Sequence, residues 1–420
     1  MRAIPSKSAA HRLLICAALS DRPCRIVCPE TSDDIEATAR CLTALGAGVE
    51  YRDGVFHVTP VSRPVNGRRL LDCGESGSTL RFALPLAAAL GAEADFILKG
   101  RLPRRPLSPL YEELIGHGCA LSPQGQSPLR LSGRLKPGVF RLPGNVSSQF
   151  VSGLLMALSV LEGKSVVSVT GPFESRPYVD MTLRALEVFG APVDENRQTF
   201  YVNGRGRLKA PDEISVEGDW SNAAFWLCAG ALLPEGKSIR VQGLDPRSAQ
   251  GDRAVLDFLR RFGAVVIENE TGVTVSRGQL RGIAIDAHDT PDLVPILAVV
   301  AAGAEGTTTV TRAGRLRDKE SDRLRAVTET LRALGTEIRE TADGLVIQGK
   351  PALAGGRVSS FGDHRIAMAA AVSSLLCAGP VTIEGAEAVK KSYPGFFRDF
   401  NALGGVLEEV ATCHPSLETH

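Results

Sequence analysis

Ala44-Leu45-Gly46-Ala47 is the first of six related phrases. It is followed by Gly116-His117-Gly118-Cys119, Val188-Phe189-Gly190-Ala191, Arg261-Phe262-Gly263-Ala264, Ala333-Leu334-Gly335-Thr336 and Ala402-Leu403-Gly404-Gly405. The central glycines step by 72, 72, 73, 72 and 69 positions. Each phrase reads as the end of a helix, with glycine as the residue past the cap. A second phrase keeps the same period: a polar start, a run of small apolar residues, then Gly and a β-branched alternation, as in Ser147 to Leu161 followed by Gly163 to Val169. Its starts lie at Ser8, Ser78, Ser148, Ser221, Asp292 and Asp363, spaced by 70, 70, 73, 71 and 71. A Leu-Gly-Ala phrase also ends many ordinary helices, but two phrases in one register point to an internal repeat.

Each unit is expected to run helix, short strand, loop, second helix, Gly cap and hairpin, such as Val265–Glu268 and Val273–Val275 around Asn269 to Gly272. Six units account for the 420 residues. A unit of this size buries its own surface poorly, so copies should pack together. Gly206 to Gly218, with Lys209, Pro211, Asp212 and Glu213, is the most linker-like stretch near the middle. The expected fold is α/β, with two inside-out domains of three quasi-equivalent units each and a hinge near 206–218. The domains span 5–212 and 213–420, and residues 1–4 can belong to the second.

Composition narrows the function. With 44% hydrophobic, 23% charged and 5% aromatic residues, the chain is globular rather than disordered. Lys plus Arg number 48 and Asp plus Glu 47, which leaves no net field for a nucleic-acid backbone. Apolar runs near Leu154 and Ile296 are cut by Ser, Glu, Gly or Pro before reaching the roughly 20 residues of a membrane span. Met1 to Ser8 lacks the regions of a signal peptide, so a cytoplasmic protein is expected. Cysteines at 16, 24, 28, 41, 73, 119, 228, 377 and 413 form no Cys-x-x-Cys pair and read as reduced thiols. Trp220 and Trp226 read as packing residues, and no apolar stripe asks for a partner, which makes a monomer the expectation.

Equivalent helix starts in a pseudo-threefold domain point the same way, and their unpaired N–H groups make that end an anion receptor. The starts carry Pro5-Ser6-Lys7-Ser8 with Arg12, Gly74 to Thr79 with Arg81, Ser147-Ser148-Gln149, Ser221-Asn222, Asp292 and Asp363-His364-Arg365. Ser and Asp are ordinary caps there, and His364 can be a cap or a hydrogen-bond donor. Lys and Arg are not caps, because a cation opposes the dipole at an amino terminus. An anionic ligand resolves that conflict. Arg104-Arg105-Pro106, Arg317 to Arg323 and Lys390 to Pro394 add loop cations, with Glu320 and Asp322 among them. The middle run can be a solvated face, or it can supply groups for proton transfer between anions.

These residues resemble those of the 5-enolpyruvylshikimate-3-phosphate synthase family, from Pro5 to Pro394. The matching motifs, in order, are Pro5-Ser-Lys-Ser, Gly74-Glu-Ser-Gly-Ser-Thr-Leu-Arg81, Arg105-Pro106, Val146-Ser-Ser-Gln-Phe150, Ser175-Arg-Pro-Tyr178, Pro291-Asp292, Lys319-Glu-Ser-Asp-Arg323, Asp363-His-Arg365 and Lys391-Ser-Tyr-Pro394. The resemblance implies transfer of the enolpyruvyl group of phosphoenolpyruvate to the 5-hydroxyl of shikimate 3-phosphate, with release of phosphate. It implies the two-domain inside-out fold, a closing motion, and no metal or cofactor.

By the same resemblance, Lys7, Ser8 and Arg12 hold shikimate 3-phosphate, with its phosphate at Ser147, Ser148 and Ser175 and further contacts from Tyr178, Asp292 and Lys319. Phosphoenolpyruvate lies against Lys7, Gly77, Arg105, Gln149, Arg323, Arg365 and Lys391. Asp292 is the general base, and Lys7 or Glu320 delivers a proton to the methylene carbon.

The chain departs from the family in three places. Relatives usually carry one more strand before Pro5, so either the start is trimmed or the second domain lacks an edge strand. Glu75 stands where many relatives have Asn, and Arg315 where a relative can offer Asn. The sister family that acts on UDP-N-acetylglucosamine uses a reactive Cys in the loop equivalent to Gly100 to Pro106, which has none here, and Cys119 reads as a packing residue. A noncatalytic binding protein on the same repeats needs none of Lys7, Arg105, Asp292, Glu320, Arg323, Arg365 or Lys391.

Overall fold

Six glycines in the left-handed region set the rhythm of the chain. Gly46, Gly118, Gly190, Gly263, Gly335 and Gly404 have φ of 98°, 98°, 70°, 99°, 99° and 98°, a conformation that costs an L side chain energy. Each stops a helix and reverses the chain. In five units the chain returns as an antiparallel pair: 48–52 with 55–59, 119–121 with 129–133, 194–196 with 199–204, 265–269 with 272–276 and 337–340 with 345–348. The computed structural model describes residues 1–62 and 65–410, so Cys413 and positions 411–420 of the expected second domain lie outside the described residues. The hairpin expected of the sixth unit is not formed over 405–410, which carry no strand.

In every unit except the sixth, the strand after the first helix pairs with the hairpin. Among the described residues, four of the six sheets are four-stranded, each completed by a parallel strand at its edge, and the two strands of the sixth unit, 356–359 and 381–384, also pair in parallel. The first helices of the units are Lys7–Ala18, Gly77–Leu90, Ser148–Leu158, Trp220–Leu232, Val294–Ala302 and His364–Ser373. They are apolar on nearly every side. All nine residues of Val294–Ala302 are buried, as expected of a helix with no solvent face. The helices fill the interior and the sheets lie outside, which is the inside-out arrangement. Close approach needs small residues: a Cβ on Gly153 would collide with the Arg81 carbonyl on the facing helix.

Buried apolar side chains form two cores, one drawn from residues 9–216 and the other from Ile4 and residues 220–396. The expected boundary between 212 and 213 falls too early. Glu213–Ser215 pair in parallel with Arg25–Val27 and complete the first sheet, and Val216 packs in the first core. The chain crosses at Glu217–Asp219, beside its other crossing at Ile4–Ser6. Pro5 and Gly218 form an antiparallel bridge, Ser6 N donates to Glu217 O at 2.8 Å, and Asp219 N donates to Ile4 O at 2.8 Å. Arg2 bridges in parallel to Gln242, at the edge of the three-stranded sheet built on Ser238–Val241. Each crossing segment therefore adds its edge to the sheet of the opposite side, although Arg2 supplies only a single bridge where a full strand could stand.

His11 locks three elements beneath the first crossing. Its Nδ1 lies 2.7 Å from Thr38 Oγ1, which is 2.8 Å from Thr79 Oγ1, which donates to Ser76 Oγ at 2.8 Å. Burial pushes the His11 pKa from 6.5 down to about 3. The unfolded chain takes up this proton first, so the stability that comes from keeping His11 neutral is complete above pH 6.5 and drains away as pH falls toward 3. Urea midpoints measured against pH should show the gap between wild type and His11→Gln narrowing below pH 6.5; a gap independent of pH contradicts this account.

Candidate active site

The helix starts converge, and of the starts at Ser8, Ser78, Ser148, Ser221, Asp292 and Asp363 only Asp363 is itself the cap. Ser6 caps the Lys7 helix through Ala9 N, Ser76 the Gly77 helix through Thr79 N, and Ser147 the Ser148 helix through Gln149 N. Asp219 caps the Trp220 helix and Asp363 the His364 helix. Capping by these residues leaves the hydroxyls of Ser8, Ser78, Ser148 and Ser221 free for other work. Ser78 Oγ accepts from Gln149 Nε2 at 2.8 Å, and Ser221 Oγ accepts from Arg365 at 2.7 Å. Asp292 is not a cap. It sits in a short turn, Pro291–Leu293, that leads into the Val294 helix.

A cavity of about 240 Å³ lies where these helix starts meet. From the side of the first core, Lys7, Ser8, Arg12, Gly77, Arg105, Ser147, Ser148, Gln149, Ser175 and Tyr178 line it; from the other, Asp292, Lys319, Glu320, Arg323 and Arg365. Of the residues expected at the site, Lys391 alone lies elsewhere, on a neighbouring cavity with Glu75. Asp34, Arg81, Arg315 and His364 also line the site. Arg81 is part of the Gly74 motif, and Arg315 is one of the chain's departures from the family. Asp34 gave no signal, because Asp33-Asp34 reads as the acidic first turn of an ordinary helix.

Charge decides what the cavity suits. Its lining holds eight cations (Lys7, Arg12, Arg81, Arg105, Arg315, Lys319, Arg323, Arg365) against four carboxylates (Asp34, Asp292, Asp318, Glu320). Such an excess favours a multiply charged anion. Arg12 is fixed by bonds to Thr182 Oγ1 at 2.7 Å, Ser8 O at 2.6 Å and Tyr178 O at 2.7 Å, and burial pulls its pKa down to about 10. Arg81, pulled down to about 9 by burial and by the neighbouring Arg105, donates to Gln149 Oε1 at 2.7 Å and Pro106 O at 3.1 Å. Burial brings Lys319 down to about 8, although Asp292 opposes the shift from 3.3 Å.

Arg323 is the electrostatic centre. It donates to Asp363 at 2.7 and 3.2 Å, Asp292 at 2.8 Å and Glu320 at 2.7 Å. Burial alone would discharge it, but those three carboxylates hold its pKa above the usual arginine value. The converse holds for Asp292. Burial pushes its pKa up, yet Arg365, Lys319 and Arg323 together keep it well below the carboxylate range. Glu320 is likewise held low against burial by Arg323, Arg105 and Lys391. His364 is buried with neither ring nitrogen hydrogen-bonded, and burial, with Lys7 and Arg365 nearby, keeps it neutral.

The two sides touch across the cavity. Arg105 lies 3.5 Å from Glu320, Arg315 is 2.8 Å from Glu174 and also donates to Ser175 Oγ, and Tyr178 donates to Asp292 at 3.3 Å. Ser175 N donates to His288 O at 3.2 Å while Ser175 itself has φ of 54°, so the backbone is held in an unusual conformation where the sides meet. Among the described residues, no group of three or more His, Cys, Asp or Glu is placed to hold a metal ion, and no helix is long and apolar enough to cross a membrane.

A family model described as EPSP synthase (3-phosphoshikimate 1-carboxyvinyltransferase) matches residues 1–400. The 3-phosphoshikimate 1-carboxyvinyltransferase of Clostridium kluyveri is 45% identical over 407 residues, covering 96% of this chain and 95% of its own. That of Clostridium acetobutylicum is 43% identical over 411 residues with the same coverage. Among solved structures, an EPSP synthase from Acinetobacter baumannii superposes with a TM-score of 0.79 at 27% identity, covering 96% of this chain and 95% of that one. The enolpyruvyl transferase NikO from Streptomyces tendae, at 22% identity and a TM-score of 0.76 over 96% of this chain and 94% of its own, shares the fold.

Removing the Arg323 charge takes the Arg/Lys partner from buried Asp363 and leaves Asp292 and Glu320 with only their longer contacts to Lys319, Arg365 and Arg105. Arg323→Met should lower unfolding free energy by about 3–5 kcal/mol, as breaking one side of a buried ionic cluster does. Chemical denaturation at neutral pH reads this directly, and a loss below about 1 kcal/mol would mean that the cluster is far more solvated than its geometry implies.

Proposed function

The chain belongs to the EPSP synthase family, and we propose that its interlobe cavity binds shikimate 3-phosphate and phosphoenolpyruvate together and joins them through the 5-hydroxyl, releasing phosphate. The observation that carries this reading is the single cavity in which cations from both cores surround Asp292 and Glu320. In this reading the two cores are the cores of two lobes, first and second along the chain, that open and close about the paired crossings. The cytoplasmic, monomeric form expected from the sequence belongs to the same proposal.

Hydroxyls at a helix start suit a phosphate that is held for geometry. Ser147, Ser148 and Ser175 take that of shikimate 3-phosphate, with Lys7, Ser8, Arg12, Tyr178 and Lys319 around the ring. The doubly charged leaving group needs full charges: Lys7, Arg105, Arg323 and Arg365, with Gln149 and the open face of Gly77, receive phosphoenolpyruvate. Lys391 joins them once it leaves Glu75.

Protonation of the methylene carbon makes the neighbouring carbon cationic, and the 5-hydroxyl oxygen attacks it as Asp292 takes the hydroxyl proton. The tetrahedral adduct then breaks its C–O bond to phosphate and loses a methyl proton to restore the double bond. Asp292 is a poor base while Arg365, Lys319 and Arg323 crowd it. Anions that engage those cations relieve it, so its basicity rises when both substrates are present. Glu320, ionised among Arg323 and Arg105, must be loaded with a proton before it can act as the acid. Lys7, 2.9 Å from Asp34, is the other candidate for that proton. Cys119 fits no thiol chemistry: it is 6% exposed, and burial pushes its pKa up to about 11.

Two measurements bear on this reading. Phosphate should be released from phosphoenolpyruvate with shikimate 3-phosphate and not with UDP-N-acetylglucosamine, and Asp292→Asn should lower kcat by about 10²–10⁴-fold; release with the nucleotide sugar alone would replace this reading with the sister activity. Gly77→Ala places a methyl 2.7 Å from one Arg105 nitrogen and 3.0 Å from its guanidinium carbon. Arg105 must swing aside, so KM for phosphoenolpyruvate should rise and glyphosate, if it occupies the same place, should inhibit less. Unchanged values for both would remove Arg105 and Gly77 from the donor site.

A further inference from the structure

Lys391 stands apart from the other cations expected to hold the donor. Its Nζ donates to the Glu75 carbonyl oxygen at 3.1 Å and lies 3.4 Å from Glu75 Oε2. The two residues come from opposite sides of the cleft, Glu75 from the turn ahead of the Gly77 helix and Lys391 from the end of the turn Ala386–Lys391. The Lys391 side chain is 10% exposed and that of Glu75 50%, so a nearly buried ammonium is held by a half-exposed carboxylate. The Glu75 carboxyl packs directly over Gly100, where a Cβ would collide with it. Only Ser76 separates Glu75 from Gly77, on the wall of the cavity that Lys391 fails to reach.

An ammonium with a carboxylate and a carbonyl oxygen already on it is not equally available to a third anion. We propose that Glu75 is a specificity-determining residue: an internal counter-anion that keeps Lys391 out of the donor cavity and sets the affinity for the anionic donor through that ammonium. This rests on the reading that phosphoenolpyruvate occupies the cavity. Donor binding then includes exchange of the Glu75 carboxylate for the donor's own charge on Lys391. The acceptor is spared, because Glu75 touches none of Ser147, Ser148 or Ser175.

Glu75→Gln keeps the shape and the backbone carbonyl contact and removes the charge. KM for phosphoenolpyruvate should fall about two- to fivefold, the range expected for a half-exposed ion pair, with kcat and KM for shikimate 3-phosphate unchanged and the gain fading at high salt. In a Lys391→Gln background the same substitution should leave donor affinity unchanged. Calorimetry of glyphosate in the presence of shikimate 3-phosphate makes the same comparison if that background turns over too slowly. A raised or unaltered donor KM in Glu75→Gln overturns the proposal, since Glu75 would then present Lys391 or leave it indifferent. An equal gain with and without Lys391 also overturns it, in favour of direct repulsion. Absence of turnover by the wild-type chain with both substrates would instead sink the functional reading, which separates the two failures.

Discussion

A guanidinium with 1% of its side chain exposed has to be given counter-charges by the protein itself, and Arg323 receives three. Asp363 comes from the cap of the sixth unit's first helix, Asp292 from the turn before the fifth unit's, and Glu320 from the loop one turn upstream. Two units of the second core are tied together at the point where chemistry is to happen. In the proposed reaction the tie also bears on the chemistry, because the carboxylates that neutralise Arg323 include the proposed base, Asp292, and one candidate acid, Glu320. Structure and reactivity draw on the same charges.

Much of this was legible in the chain, because duplication writes the same local physics repeatedly. A residue with positive φ must come where a helix ends and a hairpin begins, so the six glycines give the period, and all six adopt that backbone. Polar helix starts were visible for the same reason. Which of two neighbouring hydroxyls caps and which faces the cavity was not, since Ser6 and Ser8 or Ser76 and Ser78 are equivalent to any pattern and differ only in backbone geometry. The boundary at 212/213 failed because pairing of Glu213–Ser215 with the first sheet is long-range. Asp34 and the withdrawal of Lys391 were invisible because an ion pair between distant segments leaves no trace in spacing.

The excess of cations is partly offset from within. Lys7 sits on Asp34, Arg105 near Glu320, Arg315 on Glu174 and, in the neighbouring cavity, Lys391 on Glu75, so several of the cations proposed to bind ligands already have a protein carboxylate beside them. Such pairing lets a basic site fold and stay ordered without ligands. It also makes affinity a difference between two sets of contacts, so that the carboxylates tune binding as much as the cations do.

The side-by-side crossings at Ile4–Ser6 and Glu217–Asp219 carry a mechanical consequence. The two crossings are held side by side by one antiparallel bridge, Pro5 with Gly218, and its two backbone hydrogen bonds, so they are not independent linkers. In the proposed closing motion, two crossings bonded to each other leave less freedom than a single linker would, which favours the return of Arg105 to Glu320 and of Tyr178 to Asp292. The repeat pattern is exchanged at this point: Glu213–Ser215, ahead of the fourth unit's first helix, complete the sheet of the first unit, and Arg2, ahead of the first unit's helix, bridges to the sheet of the fourth.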